Sequence, residues 1–252
     1  MPSKKKPTSQ PQEPSADTPK PNQGVVRREI LVVDDHPITR AGFVGIINSQ
    51  PDLQVTREAS SPSQALDMVS HKVPELILTD MQMPGRSGVE FIKDLHSIQP
   101  ELPILVVSMH DEVVYGERAL RAGARGYLMK DAGAAKILTA IRDVLNGNVH
   151  VSPQMSAQLF DKMTGRRPRG SRSAIEILTD REFEVFQLIG RGQSTQEMAA
   201  NLHLSPKTVD VHRGHIKEKL RLESLSALMR YAIRWVESGL ADDQGNSSLP
   251  KA

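Results

Sequence analysis

The sequence predicts two folded units of different class: an α/β doubly wound, five-stranded parallel sheet at 27–147, and an all-α four-helix unit with a helix-turn-helix at 176–236. Three observations predict them. In the first segment, short apolar runs alternate five times with amphipathic stretches, as strands buried on both faces alternate with crossover helices. The second segment carries helix-cap signals and helical periodicity but no strand-like run. Between them, 165–173 is dense in Arg, Gly, Pro and Ser and reads as flexible chain within a linker at 148–175.

The strands of the first unit are expected at 30–33, 76–78, 104–107 and 127–129, with a weaker one at 53–55. Helical patterns fall at 38–48, 63–71, 88–97, 112–122 and 133–146, and Gly147 is the left-handed residue that ends the last of them. In the second unit Thr179 with Glu182 forms a capping box, and Gly190 and Gly192 break the helix that follows. Ser194 with Glu197 starts a second helix. Ser205 before Pro206 starts a third, with Ser as N-cap and Pro at the first helical position. A fourth runs from Ser224 to Val236. The ends, 1–26 and 237–252, are expected to be disordered tails; at the N-terminus few large apolar side chains are available to offset the entropy of ordering.

Composition excludes several functions. The chain of 252 residues has no cysteine, so disulfides, thiolate metal sites and Cys nucleophiles are ruled out. No apolar run approaches the ~20 residues of a membrane span, and the basic, Pro-rich N-terminus is unlike a secretory signal. The expectation is a soluble cytoplasmic protein with no membrane partner. A net charge of +2 is too mild to indicate nucleic acid by itself, so a basic surface must be local.

In open α/β sheets, chemistry collects at the carboxyl ends of the strands. Here those ends carry Asp34 and Asp35, Asp80, Ser108 and Lys130. Clustered carboxylates repel unless a cation lies among them, and a hard divalent ion such as Mg²⁺ suits oxygen ligands. A carboxylate beside such an ion can attack phosphorus to give an aspartyl phosphate, with the lysine and serine holding phosphoryl oxygens. One polar residue after one strand is uninformative. The set at successive strand ends is not.

With these residues in place, the segment 28–147 resembles the receiver domain of two-component response regulators, a flavodoxin-like fold. The motifs are Leu31-Val32-Val33-Asp34-Asp35, then Leu76-Ile77-Leu78-Thr79-Asp80-Met81-Gln82-Met83-Pro84-Gly85 with Gly88, then Val106-Val107-Ser108, and Gly126-Tyr127-Leu128-Met129-Lys130. The resemblance implies that Asp80 accepts phosphoryl from a cognate sensor histidine kinase in a phosphorelay. It implies Mg²⁺ held by Asp35 directly, by Asp34 largely through water, by Asp80 and by the main-chain carbonyl of Gln82. Ser108 and Tyr127 would be the switch pair, Lys130 would hold a phosphoryl oxygen, and the signalling face would lie near Tyr127 and the 112–122 helix. Asp131 follows the lysine where many receivers have proline.

In the second unit Met198, Ala199 and Leu202 on one helix and Val209, His212, Ile216 and Leu220 on the next form apolar stripes, joined by a short connection as in a helix-turn-helix. His212 lies on its stripe and reads as a packing residue. The opposite face offers Lys207, Asp210, Val211, Gly214, Lys217 and Glu218, flanked by Arg213, Lys219 and Arg221, which suits entry into the major groove of double-stranded DNA. The stretches Leu178-Thr179-Asp180-Arg181-Glu182, Gly192-Gln193-Ser194-Thr195-Gln196-Glu197-Met198-Ala199 and Leu204-Ser205-Pro206-Lys207-Thr208-Val209-Asp210-Val211-His212 resemble LuxR-type DNA-binding domains. Joined to a receiver, they match the NarL/FixJ class. The resemblance implies that Lys207, Thr208, Asp210, Val211, Arg213, Gly214 and Lys217 form the DNA-reading surface. It also implies a homodimer of the phosphorylated or DNA-bound protein, through Leu225, Leu228, Met229 and Ala232.

Asp210 stands where many such domains have a lysine, which predicts an altered operator preference. The segment 176–236 is nearly charge-balanced, so Arg166, Arg167, Arg169 and Arg172 of the linker are candidates for additional phosphate contact. The functional expectation is a DNA-binding transcriptional response regulator, with no enzymatic activity beyond phosphorylation and dephosphorylation of its own aspartate. An aspartate-nucleophile phosphatase would need an acid two residues after Asp80, where Gln82 stands. A phosphate-independent DNA-binding regulator with a degenerate receiver is the alternative.

Overall fold

The structure is a computed structural model and describes residues 26–83, 86–110, 112–164, 174–202 and 204–245. The expected N-terminal tail up to residue 25, the linker arginines at 166–172 and the last residues from 246 lie outside the described residues.

The first unit begins with β1 (Arg28–Val33), α1 (Pro37–Asn48), β2 (Leu53–Ala59), α2 (Pro62–His71) and β3 (Leu76–Thr79). A small antiparallel hairpin follows, β4 (Gln82–Met83) with β5 (Arg86–Ser87). Then come α3 (Gly88–Ile98), β6 (Ile104–Ser108), α4 (Glu112–Ala122), β7 (Gly126–Met129) and α5 (Ala134–Leu145). Five strands form one parallel sheet in the order β2-β1-β3-β6-β7. The order reverses between β1 and β3, so Asp34, Asp35 and Asp80 leave neighbouring strands at the switch point, where a crevice must open.

Each central strand is buried on both faces, as its continuous apolar run requires. Ile30, Val32, Leu76, Leu78, Leu105 and Val107 pack on α1 and α5 through Phe43, Ile47, Ile137 and Ile141. Leu31, Val33, Ile77 and Val106 face the other way, toward Val69, Phe91, Ile92 and Ala119. Gly147 has a φ of 85° and ends α5 as expected.

The expected linker departs from plain coil. His150 bridges to the edge of β7, where its main-chain carbonyl accepts from Tyr127 N. Residues Pro153–Met163 then form α6. Ser152 caps it, accepting from Met155 N, and Pro153 takes the first turn. Met155 is buried against Gly116 of α4, so tertiary packing orders a segment whose composition is mostly polar.

The second unit comprises α7 (Asp180–Gly190), α8 (Thr195–Leu202), α9 (Pro206–Lys219) and α10 (Leu225–Gly245). The capping box is present: Glu182 N donates to Thr179 Oγ1, and Thr179 N donates to Glu182 Oε2. Buried Glu182 also accepts from Lys219 Nζ at 2.6 Å, tying the start of α7 to the end of α9. α7 crosses α10 at Gly190, where a Cβ would lie 2.6 Å from the Ala232 carbonyl oxygen. α10 continues through Gly245 and not only to Val236, so the expected tail from 237 is helical over its first residues.

The two units share one core. The cluster containing Leu31 and Val106 continues through Tyr115 of α4 into Phe183, Phe186 and Leu228. The rings of Tyr115 and Phe183 meet edge to face at 5.3 Å. Among the described residues, no helix is long and apolar enough to cross a membrane.

Candidate functional site

At the carboxyl edge of the sheet the charged residues converge. Lys130 follows β7 and reaches back over the sheet; its Nζ donates to Asp34 Oδ2 at 2.7 Å and to Asp80 Oδ2 at 2.8 Å. All three are nearly enclosed: Asp34 is 1% exposed, Asp80 5%, and the Lys130 side chain 10%. Burial pushes the Asp80 carboxyl above its ordinary pKa, while its bonds from Lys130 pull the other way. Burial works against the charge on Lys130, but its bonds to both carboxylates outweigh that and hold its pKa above the usual lysine value.

Main-chain donors finish the arrangement. Asp80 Oδ1 accepts from Met81 N at 2.6 Å and Gln82 N at 3.3 Å, and Asp34 Oδ1 accepts from His36 N at 2.8 Å. Gly88 opens α3 pressed against the Met81 carbonyl, a position a Cβ would occupy, so the loop after Asp80 closes down only because residue 88 is glycine.

The residues fit a divalent metal. One ligand atom each from Asp34, Asp35, His36 and Asp80 lies within 4.8 Å of the others. Asp35 Oδ1 is buried and makes no hydrogen bond, although His36 Nδ1 is 2.9 Å away. A hard cation would satisfy that oxygen. Asp35 is more open than Asp34, with 23% against 1% of its side chain exposed. His36, beside the acidic pair, was not among the residues expected here.

Ser108, the last residue of β6, and Tyr127, near the start of β7, are both fully buried. Ser108 Oγ accepts from His110 N at 3.2 Å, and Tyr127 Oη donates to the His110 carbonyl at 2.7 Å. The Tyr127 ring already points inward. His110 thus touches both members of the expected switch pair, and its ring stacks on Tyr115 at 4.7 Å. Burial, helped by Arg191 and Lys130, lowers the His110 pKa to about 4, so the ring is neutral at physiological pH.

α4 carries the contact onward. Arg118 Nη1 donates to Asp180 Oδ1 at 2.9 Å, and its Nη2 donates to the carbonyls of Leu178 and Ile175. Its guanidinium lies 4.5 Å from the centre of the Phe183 ring. Lys93 Nζ adds a second cation at 2.7 Å from Asp180 Oδ2. The helix at 112–122, expected to carry the signalling face, is therefore the helix on which the second unit docks.

The residues of α9 expected to read DNA differ in exposure. Lys207 and Asp210 are exposed, Val211 is 48% exposed, and Thr208, Gly214 and Lys217 are half-buried. Arg213 is less free than its charge suggests: its Nη1 donates to Asp210 Oδ1 at 3.2 Å and to Thr195 Oγ1 at 2.8 Å. His212 is half-buried, and that burial lowers its pKa. Of the residues expected to dimerise, Leu225 and Met229 are exposed, but Leu228 and Ala232 are buried within the chain. The correction follows from the α7–α10 crossing, which turns that stripe inward.

The fold defines a class: a receiver with a cluster of acidic residues at the carboxyl edge of its sheet, joined to a helix-turn-helix domain. Residues 30–142 match the response regulator receiver domain, and 176–232 match the luxR family of bacterial regulatory proteins. The chain belongs to the response regulators with a LuxR-type DNA-binding domain and is a two-component transcription regulator. Over 210 residues it is 33% identical to the oxygen regulatory protein NreC of Staphylococcus carnosus (strain TM300), covering 82% of this chain and 97% of that one. NreC of Staphylococcus aureus (strain JH9) is 34% identical over the same length, with the same coverage. Among solved structures, a LuxR-family two-component response regulator from Aurantimonas sp. SI85-9A1 matches with a TM-score of 0.51 at 28% identity, covering 55% of this chain and 99% of that one. The fold also matches RcsB of Salmonella enterica serovar Typhimurium, with a TM-score of 0.60 at 22% identity, covering 82% of this chain and 98% of that one.

Proposed function

We propose that Asp80 is the phosphoacceptor and that its phosphorylation controls double-stranded DNA binding through α9. The carrying observation is the pairing of Asp80 with Lys130 beneath the unsatisfied Asp35 oxygen. One Asp80 oxygen attacks phosphorus, the P–N bond of a kinase phosphohistidine breaks, and the imidazole nitrogen keeps the electron pair and takes up a proton. Bound Mg²⁺, held by Asp35, Asp34, Asp80 and the Gln82 main chain, would supply charge neutralisation at the phosphoryl oxygens. Lys130 is placed to trade a carboxylate for a phosphoryl oxygen, and Ser108 to leave its contact with His110 N for another.

The added charge would shift a two-state receiver whose α4 bears the docked domain. RcsB, solved on promoter DNA and as dimers on DNA, supports the same reading of double-stranded DNA and a homodimer. Labelling of the full chain with acetyl phosphate and Mg²⁺, followed by operator binding, tests this. Wild type should label and bind more tightly, and Asp80→Ala should do neither. Equal affinity of labelled and unlabelled protein would refute it.

Asp210 supports an unusual operator preference. It is exposed beside Lys207 and Val211 and bonded to Arg213, so it lowers the positive charge of the reading surface and can accept from a cytosine amino group. Asp210→Lys should change the sequences recovered in a binding-site selection. An unchanged set would remove Asp210 from recognition.

A further inference from the structure

A cleft of about 490 Å³ with two different walls lies beside the Asp80 pocket, lined by Asp35, Met81 and Gln82 next to it. One is the receiver rim, including Asp35, His36 and Gln82. The other belongs to the DNA-binding domain, including Glu184, Gln187 and Arg191. Met81 and Gln82, whose main-chain N–H groups bond the Asp80 carboxylate, both line this cleft between the domains.

Gln82 and His110, from the loops that follow Asp80 and Ser108, both line the cleft. Gln82 comes two residues after Asp80, His110 two residues after Ser108. Their side chains meet, His110 Nε2 to Gln82 Oε1 at 2.8 Å. Arg191, at the end of α7, donates from Nη2 to that same oxygen at 3.3 Å. Its charge also acts on His110 and Tyr115. Among the described residues Arg191 has no carboxylate within ion-pair distance, so its charge is not neutralised by the domain that carries it.

We infer that the docked DNA-binding domain is a lid on the phosphorylation site, and that Arg191 is its latch, a positioning residue that holds the Gln82–His110 bridge closed over Asp80. This rests on Asp80 being the phosphoacceptor and adds a direction of control. Besides the receiver governing DNA binding, the position of the DNA-binding domain governs how fast phosphoryl groups reach Asp80. A donor enters only when the bridge opens, and opening costs the Arg191 contact.

The test is the rate at which acetyl phosphate labels the full-length protein in Mg²⁺. An Asp80 oxygen forms its bond to phosphorus as the bond to acetate breaks, and acetate leaves with the electron pair. Arg191→Ala should label about two- to tenfold faster than wild type, the factor expected from losing one hydrogen bond of ordinary net strength. Arg191→Lys, which keeps a donor and the charge, should return most of the way to the wild-type rate. A purely structural role for Arg191 would change thermal stability without this ordering of rates. If Arg191→Ala labels at the wild-type rate or slower, the lid is overturned while the phosphoacceptor stands, provided Asp80→Ala abolishes labelling. Labelling that survives Asp80→Ala overturns both.

Discussion

Arg118 of the receiver and Asp180 of the DNA-binding domain form an ion pair at 2.9 Å, and the Arg118 side chain is only 13% exposed. The same guanidinium caps the Phe183 ring and donates to two carbonyls of the segment leading into α7. This one side chain makes several of the polar contacts between the units, beside Lys93 on Asp180 and Arg191 on Gln82, while Tyr115 on Phe183 is an apolar part.

Arg118→Ala should separate the domains without unfolding either. It leaves Asp180 with Lys93 alone and removes a donor from the Ile175 and Leu178 carbonyls, a loss of about 1–3 kcal/mol at a mostly desolvated charged contact. Faster proteolysis within 165–173 and a larger radius of gyration in solution scattering are the expected readouts. An unchanged radius and cleavage rate would show that the apolar contact suffices.

Docking should also weaken in acid. Burial alone would raise the Asp180 pKa, but its bonds from Lys93 and Arg118 outweigh it, and the docked value lies below the ordinary aspartate value. A carboxyl depressed in the docked state contributes fully above its undocked pKa of about 4 and loses that contribution as pH falls through the docked value. Scattering across this range should show expansion below about pH 4 in wild type, and no corresponding step in Asp180→Asn.

Lys130→Met should destabilise the receiver by about 3–5 kcal/mol, because Asp34 and Asp80 would remain buried without their shared cation. If the pocket takes Mg²⁺ as proposed, the ion should raise the melting temperature of this variant more than that of wild type. Equal shifts in thermal denaturation would argue against metal and lysine neutralising the same carboxylates.

Gly190→Ala should destabilise the DNA-binding domain by about 1–3 kcal/mol, since the new methyl would meet the Ala232 carbonyl and Val236 Cγ2 where the helix backbone cannot yield easily. Chemical denaturation of the full chain should resolve this as an earlier transition of the second unit. An unchanged midpoint would mean that α10 shifts at little cost.

Much of the fold could be read along the chain. Each strand of the main sheet was expected within a few residues, because a strand buried on both faces must be an uninterrupted apolar run, as at Leu76, Ile77 and Leu78. Asp34, Asp35, Asp80, Ser108 and Lys130 stood out because each ends such a run. Helix α6 did not, because its only fully buried residue, Met155, is buried by contact with Gly116 and not by a stripe of its own. Leu228 and Ala232 were assigned to a dimer face because helical spacing shows that a stripe is apolar but not what covers it. His36, His110 and Arg191 gave only weak signals, since a lone polar residue in a loop is ordinary until the fold shows what it faces.

The sequence by itself determined the two units, the acidic pocket with its lysine, and the helices of the helix-turn-helix, because these depend on local periodicity, caps and strand ends. Only the tertiary structure decided that Arg118 and Asp180 clasp the units together, that Arg191 reaches Gln82, and that the Leu228 stripe turns inward. Those relationships join residues tens of positions apart in sequence. Their energy comes from mutual burial and from charges removed from water, quantities that exist only once the chain has folded.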